Sequence, residues 1–147
     1  MNPQEQIAIA LIDDQEQFRS RISKLLERSG FRVLIQAENG SVALEKLQRV
    51  NVLPDVCITD VHMPVMNGFE TTKILRKHYP ELKILGYSIN DNAPVIIEML
   101  RCGANGYITK DSRIRELEEA IARIHYEGVY FSSASGKILL EQLRKSC

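Results

Sequence analysis

Five residues able to do chemistry each stand at the end of a short apolar run. Asp13 and Asp14 follow residues 7–12, Asp60 follows 55–59, Ser88 closes 83–88, and Lys110 follows 105–109. Clustered carboxylates repel one another unless a cation or a proton intervenes. Hard oxygen ligands without a Cys or His pair suit magnesium rather than zinc. A carboxylate can then attack a phosphoryl group as a nucleophile and form an aspartyl-phosphate. A metal ion and an amine neutralise the transferring oxygens, and a hydroxyl can hydrogen-bond a third. This division gives Asp13 and Asp14 to the metal, Asp60 to the acceptor role, and Ser88 and Lys110 to the phosphoryl oxygens. Singly, each has a plainer reading: a helix cap for Asp13 or Asp14, a turn for Asp60 or Ser88, a solvated charge for Lys110. The joint pattern is what favours chemistry.

The elements that must position these residues can be read from periodicity. Residues 7–12 are apolar at every position, as in a strand covered on both faces. Further strands are expected at 32–37, 55–59, 83–88 and 105–109. Between them lie amphipathic stretches. Phe18, Ile22, Leu25 and Leu26 share one helical face, and Gly30 ends that helix. Ala43, Leu44, Leu47 and Val50 mark a second helix. A third runs from about residue 67 to 78 and stops before Pro80. A fourth opens near residues 91–94 with Pro94 in its first turn. Ile114, Leu117, Ile121 and Ile124 mark the fifth. Five βα units in series imply an α/β fold: a five-stranded parallel sheet with right-handed crossovers and helices on both faces. In such sheets ligands gather at the carboxyl ends of the strands. Residues 137–145 form a last amphipathic stretch, expected to be a docked helix or the start of a linker.

Composition narrows the class. The chain has 147 residues, the size of one domain, with 44% hydrophobic and 26% charged residues. Nineteen Lys plus Arg balance nineteen Asp plus Glu, which argues against nucleic-acid binding driven by bulk charge. No apolar run approaches the roughly 20 residues of a membrane span, and residues 1–6 lack the pattern of a signal peptide. Cys57, Cys102 and Cys147 have no C-x-x-C spacing, so neither a disulfide framework nor a zinc site is expected, and a reducing cytoplasm fits. Cys147 is expected at most to pair artefactually in air.

Several strings together resemble the bacterial response-regulator receiver domain of two-component systems. They are Leu11-Ile12-Asp13-Asp14, the run Asp60-Val61-His62-Met63-Pro64-Val65-Met66-Asn67-Gly68, Ser88 at the end of its strand, and Gly103 through Lys110. The resemblance covers roughly residues 6 to 128. It implies a receiver domain at 5–128, an extension or linker at 129–147, and a flavodoxin-like strand order 2-1-3-4-5. It also implies transfer of a phosphoryl group to Asp60 from a histidine kinase or phosphotransfer protein. Magnesium would be held by Asp13, Asp14, Asp60 and the backbone carbonyl of His62. Ser88 would move toward the phosphoryl group and Tyr107 would turn inward behind it, changing the face built by the fourth helix, fifth strand and fifth helix. Such a protein is a phosphoacceptor with self-catalysed transfer and hydrolysis, not a turnover enzyme.

Asp111 after Lys110, and Val129-Tyr130-Phe131-Ser132 after the fifth helix, are similar to receivers of LuxR-type transcription factors. In those a helix-turn-helix domain follows the receiver and binds DNA. The present residues are expected not to touch DNA themselves, and homodimerisation is possible within the family. Two departures stand out. Ile89 and Tyr87 are bulky beside the expected phosphorylation pocket and are expected to crowd it. His62 and Asn90 occupy positions where the family tunes hydrolysis, although a solvent-facing loop histidine is the simpler reading of His62.

Other classes fit less well. Haloacid-dehalogenase-type phosphatases need D-x-D after the first strand, where this chain has adjacent aspartates. No G-x-x-x-x-G-K-[ST] or G-x-G-x-x-G supports a nucleotide module. An interaction-only receiver usually lacks the acceptor or an acidic ligand, and all five residues are present here.

Overall fold

The computed structural model describes residues 6–90 and 92–146, apart from the side chains of 133, 134 and 146. Strands and helices alternate: β1 Ala8–Ile12, α1 Glu16–Arg28, β2 Arg32–Ala37, α2 Gly40–Arg49, β3 Val56–Thr59, α3 Gly68–His78, β4 Lys83–Ser88, α4 Ala93–Cys102, β5 Gly106–Thr109, α5 Ile114–Glu127, β6 Tyr130–Phe131 and α6 Ser133–Ser146. The sheet is parallel throughout, in the order β2-β1-β3-β4-β5-β6. The expected order of the first five strands holds. A sixth strand extends it, because Tyr130 and Phe131 pair with Gly106 and Tyr107.

The uninterrupted apolar run of β1 has a direct cause. Side chains alternate across a sheet. Ile9 and Leu11 face a core completed by Ile22 and Leu26 of α1 and by Leu117, Ile121 and Ile124 of α5. Ala10 and Ile12 face the opposite core, with Ala43 and Leu47 of α2 and Leu75 of α3. Each such large aliphatic side chain contributes roughly 1.5–3 kcal/mol on burial. A third, smaller cluster joins Val61, Ile96, Met99 and Tyr107, with Ile138 of α6 packed against it. The terminal helix is therefore docked, and it begins at Ser133, four residues ahead of the expected stretch.

Helix ends follow the sequence signals. Gly30, with φ 95°, provides the left-handed turn after α1. Asn39 caps α2 by accepting from the Val42 N–H at 3.0 Å. Asn67 caps α3 by accepting from Glu70 N–H at 3.0 Å. Pro94 lies in the first turn of α4. Asp91 and Cys147 lie outside the described residues.

Candidate functional site

The parallel ladder itself delivers the site. Asp13, Asp60 and Lys110 each lie one step past a strand and donate their backbone N–H to the last carbonyl of the neighbouring strand, while Ser88 ends β4 itself. Asp13 donates to Ala37 O at 2.9 Å, Asp60 to Ile12 O at 3.0 Å, and Lys110 to Ser88 O at 2.9 Å. All therefore gather at the carboxyl edge of the sheet. No irregular loop geometry is needed to bring them there.

Their side chains meet. The Lys110 Nζ lies 2.6 Å from Asp13 Oδ2 and 3.0 Å from Asp60 Oδ2, and the Lys110 side chain is only 6% exposed. Asp60 is 7% exposed, and its other oxygen accepts from Val61 N–H at 2.7 Å. Asp13 also serves the local chain: its Oδ1 accepts from Gln15 N–H at 2.9 Å. That bond closes an Asx turn just ahead of α1, whose N-cap is Gln15 and lacks a side-chain cap, while Oδ2 faces Lys110. Asp14 is exposed. One carboxylate oxygen each from Asp13, Asp14 and Asp60 lies within 4.8 Å of the others.

Electrostatics explains why this grouping needs cations. Two carboxylates at 4.8 Å repel by about 3 kcal/mol at an effective dielectric of 20. Lys110 offsets one of the three negative charges. Burial pulls its pKa down, but the hydrogen bonds and charges of Asp13 and Asp60 overcome this and leave it above the ordinary lysine value. The donor set is all oxygen and net negative, which fits a hard divalent cation such as magnesium.

The loop after Asp60 is shaped by close backbone approach. Gly68 donates its N–H to Val61 O at 2.7 Å. A Cβ on Gly68 would lie 2.2 Å from the carbonyl oxygen of Asp60. The Asn67-Gly68 pair thus starts α3 while leaving room for the acceptor's own backbone. Between them, Val65 adopts φ 68°, a left-handed conformation rare for a β-branched residue.

The remaining expected residues divide. Ser88 is fully buried, and its Oγ accepts from Asn90 N–H at 3.3 Å. Tyr107 is also fully buried, with its hydroxyl donating to the Asn90 carbonyl. The ring expected to turn inward on activation already lies inside. His62 is exposed, in keeping with a loop histidine. Ile89 does not crowd the pocket: it is 81% exposed and borders a shallow cavity beside Lys110. The chain leaves β4 at Ser88, so the inward direction belongs to Ser88 and the outward one to Ile89. Tyr87 is buried against Phe18, at 5.9 Å between ring centroids, and belongs to the core. Burial, reinforced by Asp13 and opposed by Arg21, pushes its hydroxyl up to about 12.

Two contacts have no signal in the local sequence pattern. The Lys110 Nζ stands 4.7 Å from the centroid of the Phe18 ring. Arg19 donates from its guanidinium to the Asp13 carbonyl at 2.5 Å. Both residues lie on α1, within two turns of Asp14. Helical periodicity assigns Phe18 to the core face and gives no sign that it meets a charge.

Comparison with known proteins agrees with this geometry. Residues 9–122 match the model of the response regulator receiver domain, and the chain belongs to that family. Its relatives include the transcriptional regulatory protein DegU of Brevibacillus brevis, 33% identical over 140 residues, which cover 95% of this chain and 58% of that protein. They also include the nitrate/nitrite response regulator protein NarL of Escherichia coli K12, 30% identical over 98% of this chain and 66% of that protein. The chain thus spans about three fifths of the length of such curated relatives. A LuxR-family two-component response regulator from Aurantimonas sp. SI85-9A1 superposes with a TM-score of 0.84 at 27% identity, covering 95% of this chain and 99% of that one. The chemotaxis response regulator CheY4 of Vibrio cholerae gives 0.73 at 30% identity, over 81% and 98%. The fold is therefore flavodoxin-like. Among the described residues no helix is long and apolar enough to cross a membrane.

Proposed function

We propose that this chain is a magnesium-dependent phosphoacceptor that takes a phosphoryl group onto Asp60 from a phosphohistidine of a kinase or phosphotransfer protein. The observation that carries this reading is the buried Lys110 ammonium bridging Asp13 and Asp60 beside the exposed Asp14. Asp13, Asp14 and Asp60 would hold the metal, with the backbone carbonyl of His62 as a further ligand. Bound magnesium supplies charge neutralisation at the phosphoryl oxygens.

The chain's own residues do the rest. An oxygen of Asp60 attacks phosphorus; an O–P bond forms as the P–N bond breaks, its electron pair stays on that ring nitrogen, and the ring leaves as neutral imidazole carrying the proton already on its other nitrogen. Val61 N–H fixes the second oxygen and so orients the nucleophile. Lys110 exchanges its contact with Asp60 for one to the incoming phosphoryl oxygens. Ser88 and Tyr107 form the switch, both linked to Asn90. A phosphoryl group adds about −1.5 to −2 charge, enough to redraw these contacts. The output acts through the face of α4, β5 and α5, on a partner, a second copy or a DNA-binding domain, in the cytoplasm. The domain is a switch, not a turnover enzyme.

The test is incubation with acetyl phosphate and Mg²⁺, followed by intact mass. One added phosphoryl group is expected, absent from Asp60→Ala. Label retained in that variant would move the acceptor elsewhere.

A further inference from the structure

Lys110 is held on three sides. Two are the carboxylates of Asp13 and Asp60, at 2.6 and 3.0 Å. The third is the face of Phe18, whose centroid is 4.7 Å from Nζ. We infer that Phe18 is a positioning residue for phosphoryl transfer, acting through Lys110 by a cation–π contact that fixes the ammonium at the acceptor. The inference rests on the phosphoacceptor reading of Asp60 and names a further residue of that site.

The physical case turns on what the third wall is made of. An ammonium on a four-carbon stem has many rotamers, and catalysis by charge requires it to be in place beforehand. A polar third neighbour would add a competing hydrogen bond. An aliphatic one would strip water from the ammonium and return nothing. An aromatic face excludes water and attracts the cation through its quadrupole. It can do so without drawing the amine's N–H groups away from the carboxylates. The ring is itself held: it packs against Tyr87 at 5.9 Å, tilted by 36°, and the Arg21 guanidinium carbon lies 5.5 Å from its centroid. Phe18 sits one turn after Asp14, on the first helix. The same short segment thus supplies two acidic groups and the wall that steadies their counter-charge.

Two substitutions separate the ring's face from its bulk. Phe18→Leu keeps an apolar side chain and removes the π face; Phe18→Tyr keeps the face. The initial rate of labelling by acetyl phosphate is measured against donor and Mg²⁺ concentration. The maximal rate of Phe18→Leu should fall about threefold to tenfold, with both half-saturating concentrations within about twofold of wild type. Phe18→Tyr should recover most of the rate. A wild-type rate in Phe18→Leu, or equal slowing in both variants, would overturn the inference.

A second measurement needs no variant. In the wild-type NMR spectrum the Lys110 ε-methylene protons should lie upfield of ordinary lysines because of the ring. An ordinary position there also overturns it. Wild-type protein that takes no label at all sinks the reading of Asp60 on which the inference depends. That outcome differs from failure of the inference alone, where wild type labels normally and Phe18→Leu matches it.

Discussion

The two ends of the sheet hold their charges in opposite ways. At the amino ends of β4 and β5, the hydrogen bonds of the Arg76 guanidinium among the described residues go to neutral acceptors, with Glu81 acting only as a nearby charge: Gly103 O at 2.7 and 3.1 Å, Pro80 O at 2.8 Å, Leu82 O at 2.7 Å and Asn105 Oδ1 at 2.8 Å. Asn105 extends the knot, accepting from Ile84 N–H at 2.8 Å and donating to Gly128 O at 3.0 Å. At the carboxyl ends, the hydrogen-bond partners of the Lys110 ammonium among the described residues are carboxylates, and with Asp14 the acidic groups outnumber it. A charge satisfied by backbone dipoles cannot trade partners without breaking the fold around it. A charge balanced by other charges can be replaced by another ion. The first arrangement ties α3, β4, the turn into β5 and the end of α5 together; the second leaves the site ready for exchange.

Substitutions can break or sharpen this contrast. The largest effect is on chemistry alone: Asp60→Ala should abolish labelling while the urea midpoint stays near wild type, and a large loss of stability would blur the separation of the two ends. Next, Arg76→Ala should cost about 3–5 kcal/mol in urea unfolding, because several carbonyls lose their donor at once. No added Mg²⁺ should restore it. Lys110→Ala should cost about 2–3 kcal/mol without metal, since buried carboxylates lose their counter-charge. Here millimolar Mg²⁺ should recover most of the loss and bind more tightly than in wild type, as read by titration calorimetry. Failure of rescue would mean that the two ends are alike. Asp14→Asn should weaken Mg²⁺ affinity on the order of tenfold, roughly 1.4 kcal/mol, with little change in stability. Ile89→Ala should be the mildest. Its labelling rate by acetyl phosphate should stay within about twofold of wild type, because an exposed side chain crowds nothing.

Most of the acidic edge was legible because it rests on topology. Once β1, β3 and β5 are parallel, Asp13, Asp60 and Lys110 must share an edge, although Lys110 and Asp60 are 50 residues apart. Gly30 and Pro94 marked helix boundaries for reasons of local backbone sterics. What stayed hidden depends on contacts that no local pattern encodes. Tyr130 and Phe131 are too few to read as a strand and become one only through β5. Adjacency to Ser88 says nothing about which way Ile89 leaves the strand end, and it leaves outward. Phe18 was placed on the correct helical face, yet its proximity to Lys110 arises from the meeting of α1 with the end of β5. Arg76 was unremarkable as one basic residue among several in the last turn of α3.

The sixth strand has a consequence for motion. Tyr107 is flanked on one side by Gly86 of β4 and on the other by Phe131 of β6. With neighbours hydrogen-bonded along both margins, its main chain cannot slide or peel. Any response of this tyrosine must therefore be a swivel of the ring about its own side-chain bonds. The bare α-carbon of Gly86 supplies the clearance the ring now uses, since a methyl there would sit 2.7 Å from Tyr107 Cδ2. For the switch proposed above, a held pivot and a turning arm would favour two distinct positions over a graded shift of the strand.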